Sequence, residues 1–217
     1  MPEAKTFITT DTVVFTIKDK SLCTVLIKRK NEPFKWKRAL PGGFLEHNET
    51  AEQCAARELA EETHIKDIYL EQLGAFSDIW RDPRWHTMSI WFLWLIDYEN
   101  LETLPDSDAE EVALLPYKAI WKLAFDHNKI LLFAYQRLAQ KLSHTDIAKY
   151  LLPDEFTLSQ MQQVYETVLG EKIDVRNFRK WISGLNLIQE TGTKLTGMRF
   201  RPAKLYRFKK QELQFIS

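Results

Sequence analysis

Short β-branched runs separated by turn residues occupy the first half of the chain, and helical spacing of apolar positions takes over in the second. Asp11 to Ile17 (DTVVFTI) and Cys23 to Lys30 (CTVLIKRK) predict two strands joined by the turn-like KDKS. Ala39 to Gly43 (ALPGG) is a punctuated loop. Ile68 to Phe76 and Thr87 to Asp97 predict further strands, the second rich in Trp, Ile and Phe, with the polar loop Arg81-Asp82-Pro83-Arg84 between them. Asp106 to Glu111 (DSDAEE) is acidic and reads as the cap of a short helix. The first half is therefore mixed α and β, with strands predominating.

From Asp126 the pattern changes. His127 to Leu142 places Ile130, Phe133 or Ala134, Leu138 and Leu142 on one side of a helix, with Asp126 and His127 expected at its cap. Thr157-Leu158-Ser159-Gln160 has capping-box form, and Leu158, Met161, Tyr165 and Val168 recur behind it until Gly170 closes the helix. Asp174 caps the next helix, whose apolar stripe is Val175, Phe178, Trp181 and Ile182, with Gly184 expected to end it. Leu185 to Glu190 and Leu205 to Lys209 predict two strands flanking a long basic loop. No repeat or low-complexity linker intervenes, and the change of pattern divides the chain into residues 1–140 and 141–217.

Composition narrows the setting. With 217 residues, 45% hydrophobic, the chain can bury a core in two unequal domains. Cys23 and Cys54 make no disulfide framework and no metal-type spacing, and both sit among small or apolar neighbours. The polar start MPEAKTFITTDT has no hydrophobic signal region, and Ser89 to Ile96 (SIWFLWLI) is too short to span a bilayer. A cytoplasmic protein without a membrane partner is the expectation.

The chemistry concentrates in Gly43 to Ile65 (GFLEHNETAEQCAARELAEETHI). Thr50 and Gln53 fit a capping box, so a helix starts at Ala51. At about 100° per residue, Ala51, Cys54 and Ala55 define a small apolar face, Glu58 and Glu62 fall within it, and Glu61 lies at its edge beside Arg57. Like charges at i, i+4 cost an isolated helix about 0.2–0.5 kcal/mol, and more when turned inward, unless a cation compensates. A divalent metal suits an all-oxygen set; Lys or Arg would also serve, and Arg57 can pair with Glu49 as a strut.

The full segment resembles the Nudix box. Gly43, Glu49, Arg57, Glu58, Leu59, Glu61, Glu62 and Ile65 stand in register, with His64 in place of the final Gly. The resemblance implies an α+β Nudix fold, an α/β/α sandwich around a mixed sheet. It also implies Mg²⁺ or Mn²⁺ held against a diphosphate by Glu58, Glu61 and Glu62, with Arg57 in the catalytic set and the Gly42 or Gly43 carbonyl also touching metal. His64 replaces a helix-ending glycine, a backbone cost of about 1–2 kcal/mol that deletes no ligand.

The charge is divided. From Thr157 onward eleven Lys and Arg face five Asp and Glu, while the remainder is acidic by the same amount, so the net charge is zero. Helix, turn, helix and a hairpin with a basic loop is the layout of a winged helix-turn-helix. Arg176, Asn177, Arg179 and Lys180 lie off the apolar stripe and can enter a major groove; Lys194, Arg199, Arg201 and Lys204 can reach phosphate or a minor groove. With KRKNEPF, LPGGF, RDPR, AFDH, RNFRK and RPAKLYRF, nearly the whole chain resembles the Nudix-related transcriptional regulators, the NrtR-like group. Trp36 and Arg38 stand where that pattern has Gly and Trp. The resemblance implies a homodimer that senses ADP-ribose or a related metabolite and binds double-stranded operator DNA of NAD or sugar metabolism genes. Phe34 and Trp36 would wall an adenine, and Gly43, Arg81 and Arg84 would meet a diphosphate. The alternative is a metabolic Nudix pyrophosphatase whose tail serves dimerisation only.

Overall fold

The computed structural model describes residues 5–65, 69–101, 111–195 and 203–209. A mixed seven-stranded sheet forms the first half. Its strands are β1 (Phe7–Lys18), β2 (Ser21–Lys28), β3 (Arg38–Ala39), β4 (Gly42–Phe44), β5 (Tyr69–Phe76), β6 (Thr87–Leu95) and β7 (Val112–Pro116), with α1 (Ala51–Thr63) inserted after β4. The main path runs β3-β2-β1-β6-β5, with β4 on β1 and β7 on β2. β1 and β6 run parallel from Phe7↔Thr87 to Phe15↔Leu95, and the other pairs are antiparallel. The β1–β2 turn has Asp19 and Lys20 at φ 49° and 61°, the left-handed pair a twist-matched two-residue hairpin requires.

Side-chain alternation explains the layers. Val14, Phe92, Trp94 and Ile96 face α1 through Ala55 and Leu59, whereas Val13, Phe15, Trp91, Leu93 and Leu95 face the opposite way. Burial on both faces is why SIWFLWLI reads as one continuous apolar run. The second face packs against α2 (His127–His144) through Ile130, Leu131, Ala134, Leu138 and Leu142. Phe133, the other candidate for that stripe, is largely exposed. The ALPGG loop expectation is amended: its flanks pair as β3 and β4 because Gly42 and Gly43 let the chain lie against β1. β7 had no counterpart in the sequence reading. The short helix expected at DSDAEE lies outside the described residues, Glu111 excepted.

α2 continues unbroken through the 140/141 division. Beyond it come α3 (Leu158–Leu169), α4 (Val175–Leu185) and the hairpin β8 (Ile188–Leu195) and β9 (Ala203–Phe208). Thr157 closes its capping box, Gly170 ends α3 at φ 76°, and Asp174 accepts from the Arg176 and Asn177 N–H groups. α4 ends at Asn186, φ 55°, two residues beyond the expected Gly184, because asparagine tolerates the left-handed cap. Of its stripe, Phe178 and Ile182 are buried while Val175 and Trp181 stay partly exposed. Phe156 pairs with Tyr206 through two backbone bonds of 2.9 and 2.8 Å, fastening the hairpin to the helices. One hydrophobic cluster runs from the sheet through α2 into Met161, Val164, Tyr165, Phe178 and Ile182. Tyr135 Oη of α2 donates to the Val168 carbonyl at 3.0 Å.

Candidate functional site

The acidic wall is built by α1. Thr50 accepts from the Gln53 N–H while the Gln53 side chain accepts from the Thr50 N–H, the reciprocal capping box. At the other end His64 sits at φ 63°, in the left-handed conformation inferred from the missing glycine. Arg57 grips Glu49 with both Nε (3.0 Å) and Nη2 (2.7 Å), and its Nη1 reaches Glu58 at 2.9 Å and Glu61 at 3.6 Å. The arginine is thus a strut between the box loop and the helix, and these bonds hold the Glu49 carboxyl well below its ordinary range. Glu58 and Glu62 turn inward as the helical geometry required; Glu61 is exposed.

Both inward acids meet the glycine strand. The Gly42 N–H donates to Glu62 Oε2 at 3.0 Å, and a Cβ on Gly43 would collide with the Glu58 carboxylate. Burial pushes the Glu62 carboxyl up to about 8 and raises Glu58 against the opposing pull of Arg57. Asp11 of β1 is a further buried acid, pushed up to about 6 by burial although Ser89 Oγ donates to it and Arg81 attracts it. Sequence reading missed Asp11 because it sits on β1, outside the helix that carries the box acids and 47 positions before Glu58, with no spacing that links the two. Three desolvated carboxyls, two on α1 and one on β1, lie against Gly42 and Gly43 of β4, and their oxygen chemistry suits a hard divalent cation. As placed, among the described residues no three such side chains converge to ligating distance.

Opposite α1 the cleft is basic and aromatic. One lobe, about 430 Å³, is lined by Asp11, Arg29, Gly43, Glu58, Arg84 and Phe125 among others; a second, about 320 Å³, adds Glu61, Glu62 and Glu111. Asp11, Arg29, Asn31, Gly42, Phe125 and His127 border both. Arg81 and Arg84 line the larger lobe, but neither is an isolated cation. Arg81 is buried and forks onto Asp126 at 2.9 and 3.2 Å; Arg84 forks onto Asp82 at 2.7 and 3.0 Å. Asp126 therefore makes no side-chain cap on α2, contrary to expectation. His127 does not cap it either: its Nδ1 accepts from the Leu40 N–H at 3.0 Å, and burial, then Arg81 and Arg29, holds its pKa down at about 3. Phe34 meets Phe125 edge-on at 4.9 Å, whereas Trp36 is 62% exposed. Arg29, Asn31 and Phe125 belong to the KRKNEPF and AFDH stretches, yet only folding brings them into one wall.

In the second half of the chain, Arg176, Asn177, Arg179 and Lys180 are exposed along α4, and among the described residues the three cations form no ion pair. Lys204 pairs with Glu190 at 2.9 Å. Lys194 is placed by its backbone on β8 opposite Lys204; Arg199 and Arg201 lie outside the described residues.

Comparison with known proteins places these two regions. Residues 7–134 match the NUDIX domain and residues 148–208 the NrtR DNA-binding winged helix domain. An ADPR responsive transcriptional repressor NtrR of Acinetobacter baylyi is 35% identical over 211 residues, covering 95% of this chain and 84% of the relative. The crystal structure of Shewanella oneidensis NrtR complexed with a 27mer DNA superposes with a TM-score of 0.84 at 34% identity, covering 93% of each chain. The NUDIX domain of that NrtR complexed with ADP ribose aligns at 32% identity and a TM-score of 0.56, covering 64% of this chain and 93% of the other. With a Nudix cleft in its first half and an NrtR winged helix in its second, the chain belongs to the NrtR family of Nudix-related transcriptional regulators.

Proposed function

We propose that the protein is a transcriptional regulator that binds ADP-ribose in the Nudix cleft and operator DNA through the winged helix. One observation carries this reading. α2 begins in the cleft wall at His127, directly after Asp126 takes the Arg81 fork, and then docks α3 through Tyr135 and a shared apolar core. Ligand site and DNA-binding helices are thereby connected by one continuous helix. The proteins of A. baylyi and S. oneidensis, whose descriptions name ADPR, ADP ribose and DNA, support it.

In this reading Glu58, Glu61 and Glu62, with the Gly42 carbonyl, hold Mg²⁺ or Mn²⁺, which would neutralise a diphosphate and activate water. Arg57 positions Glu58 and the box loop. Gly43 keeps the wall open for Glu58, while Phe34, Arg81 and Arg84 complete the ligand cleft; exposed Trp36 contributes at its rim. Arg176, Asn177, Arg179 and Lys180 meet the major groove, with Lys194, Arg199, Arg201 and Lys204 on the flanking backbone. The protein acts in the cytoplasm as a homodimer, and the functional division falls near residues 140 and 141, in the last turn of α2. Because every box acid is present, we also propose residual Mg²⁺-dependent hydrolysis; AMP release from ADP-ribose that survives Glu62→Gln unchanged counts against it. The unpaired basic face of α4 favours regulation over a purely metabolic pyrophosphatase. A mobility shift with DNA from upstream of the protein's own gene tests the central reading. DNA should be retarded, and ADP-ribose should change that retardation; no binding at low salt, or indifference to ADP-ribose, refutes it.

A further inference from the structure

Besides its apolar stripe, α2 meets the first half of the chain along a second line. Asp126, Lys129, Phe133, Arg137 and Lys141 fall within about 60° of one line, about 22 Å long, down the helix. β5 and the loop after it run antiparallel to that line. Arg81 forks onto Asp126, and Asp78 pairs with Lys129 at 3.3 Å. The Phe76 and Phe133 rings meet edge-on at 5.8 Å, and Glu71 takes Arg137 Nε at 3.2 Å and Lys141 Nζ at 2.6 Å. Glu71 and Phe76 are an odd number of positions apart, yet both reach α2, because β5 shifts register between Gln72 and Gly74. A slip of one helical turn in either direction would set Arg81 against Lys129 or Asp78 against Asp126, like charge on like charge. The rungs therefore fix where α2 sits.

The two ends of this ladder are the buried rungs, whereas the side chains of Asp78 and Lys129 are solvated. At one end Arg81 lines the cleft. At the other, Glu71 holds the approach to the DNA-binding half. Its Oε2 also accepts from Tyr69 Oη at 2.8 Å, and Lys141 Nζ donates to the same hydroxyl at 3.3 Å. The Tyr69 ring so held lies on Tyr150, with centres 4.4 Å and planes 30° apart. Tyr150 belongs to the single 3-10 turn Ile147–Leu151, which leads from α2 towards α3. Burial pushes the Glu71 carboxyl up, but Lys141, Tyr69 and Arg137 outweigh it and hold it below the usual carboxylate range. One carboxylate thus sets both the register of α2 and the ring against which the winged helix is seated.

We propose that Glu71 is the positioning residue through which occupancy of the cleft changes DNA binding, the far rung of a ladder that begins at Arg81. This rests on the regulator reading given above. Glu71 borders neither lobe of the cleft and lies on neither α3 nor α4. It touches neither ligand; it keeps α2 and Tyr69 in place, so that a displacement of the Arg81 loop is carried along α2 to Tyr150. Without it the two sites keep their separate affinities and lose their mutual effect.

Fluorescence anisotropy of labelled DNA from upstream of the protein's own gene, with Mg²⁺ and with or without saturating ADP-ribose, gives the ratio of the two DNA dissociation constants. Calorimetry gives the affinity for ADP-ribose alone. In Glu71→Gln, which keeps the size and removes the charge, each separate affinity should stay within about threefold of wild type, while the ratio falls by about fivefold or to unity. If Glu71→Gln fails to fold, Arg137→Gln, at a side chain 43% exposed, must still move the ratio towards unity. An unchanged ratio in a folded variant, or loss of either separate affinity in step with it, overturns the inference and leaves the regulator reading standing. A wild-type protein whose DNA binding ignores ADP-ribose overturns both.

Discussion

Arg81→Ala is the sharpest test of how the cleft is held to the rest of the molecule. The arginine side chain is 5% exposed and its partner Asp126 10%. Two bonds, 2.9 and 3.2 Å, join them, and among the described residues no other cation pairs with Asp126. Truncation strands a nearly buried carboxylate at the start of α2. Breaking a buried pair from one side costs roughly 3–5 kcal/mol. For a chain of this size that lowers the melting temperature by about 6–20 °C. The double variant Arg81→Leu, Asp126→Leu leaves no buried charge, and replacing a buried pair by apolar groups is often near neutral, so most of the loss should return. Urea denaturation of the wild type, Arg81→Leu, Asp126→Leu and the double variant, followed by tryptophan fluorescence, gives the coupling energy. A single-variant loss below about 1 kcal/mol, the range of solvated surface pairs, would refute the argument; so would a double variant no better than Arg81→Ala.

His64→Gly should raise stability by about 1 kcal/mol by relieving the left-handed backbone, with Mg²⁺ affinity unchanged in calorimetry; a clear loss of affinity would give the imidazole another role. Trp36→Gly should act similarly, since Trp36 sits at φ 69° and is mostly exposed. His127, buried and held at about 3, stays neutral while the unfolded chain protonates below its ordinary 6.5. Its depressed pKa therefore costs stability as pH falls from 6.5 towards 3, by about 1.4 kcal/mol per pH unit. His127→Gln keeps an acceptor for the Leu40 N–H and should flatten that slope in denaturation at pH 6, 5 and 4. Gly43→Ala should displace Glu58 and weaken Mg²⁺ binding by isothermal titration, with the fold retained by circular dichroism. Arg179→Ala with Lys180→Ala should weaken DNA binding and flatten its salt dependence; an unchanged mobility shift would remove α4 from the interface.

Trp36 and His64 show how a departure from a family pattern becomes physical. Both replace a glycine, and both have left-handed backbones. The fold keeps the turn and accepts the strain, because at each position the backbone path is set by neighbouring pairing: His64 by its N–H bond to Ala60, Trp36 by its N–H bond to Arg29. The glutamates were legible for a related reason. Helical phase alone turns Glu58 and Glu62 inward and leaves Glu61 at the edge, so orientation needed no knowledge of the sheet.

By itself the sequence determined whatever depends on neighbours within a few residues: the capping boxes at Thr50 and Thr157, the inward acids, the Arg57 strut, the stripes of α2 and α3, and the family resemblance that follows from fixed spacing. Tertiary structure alone decided the partners. Arg81 goes to Asp126 and not to a local acid, Asp11 joins the box acids of α1 from β1, and Arg29 meets Phe125 from nearly a hundred positions away. The physical reason is that periodicity encodes which way a side chain points relative to its own backbone, whereas a charge is satisfied by whatever the packed sheet and helices bring within hydrogen-bond reach.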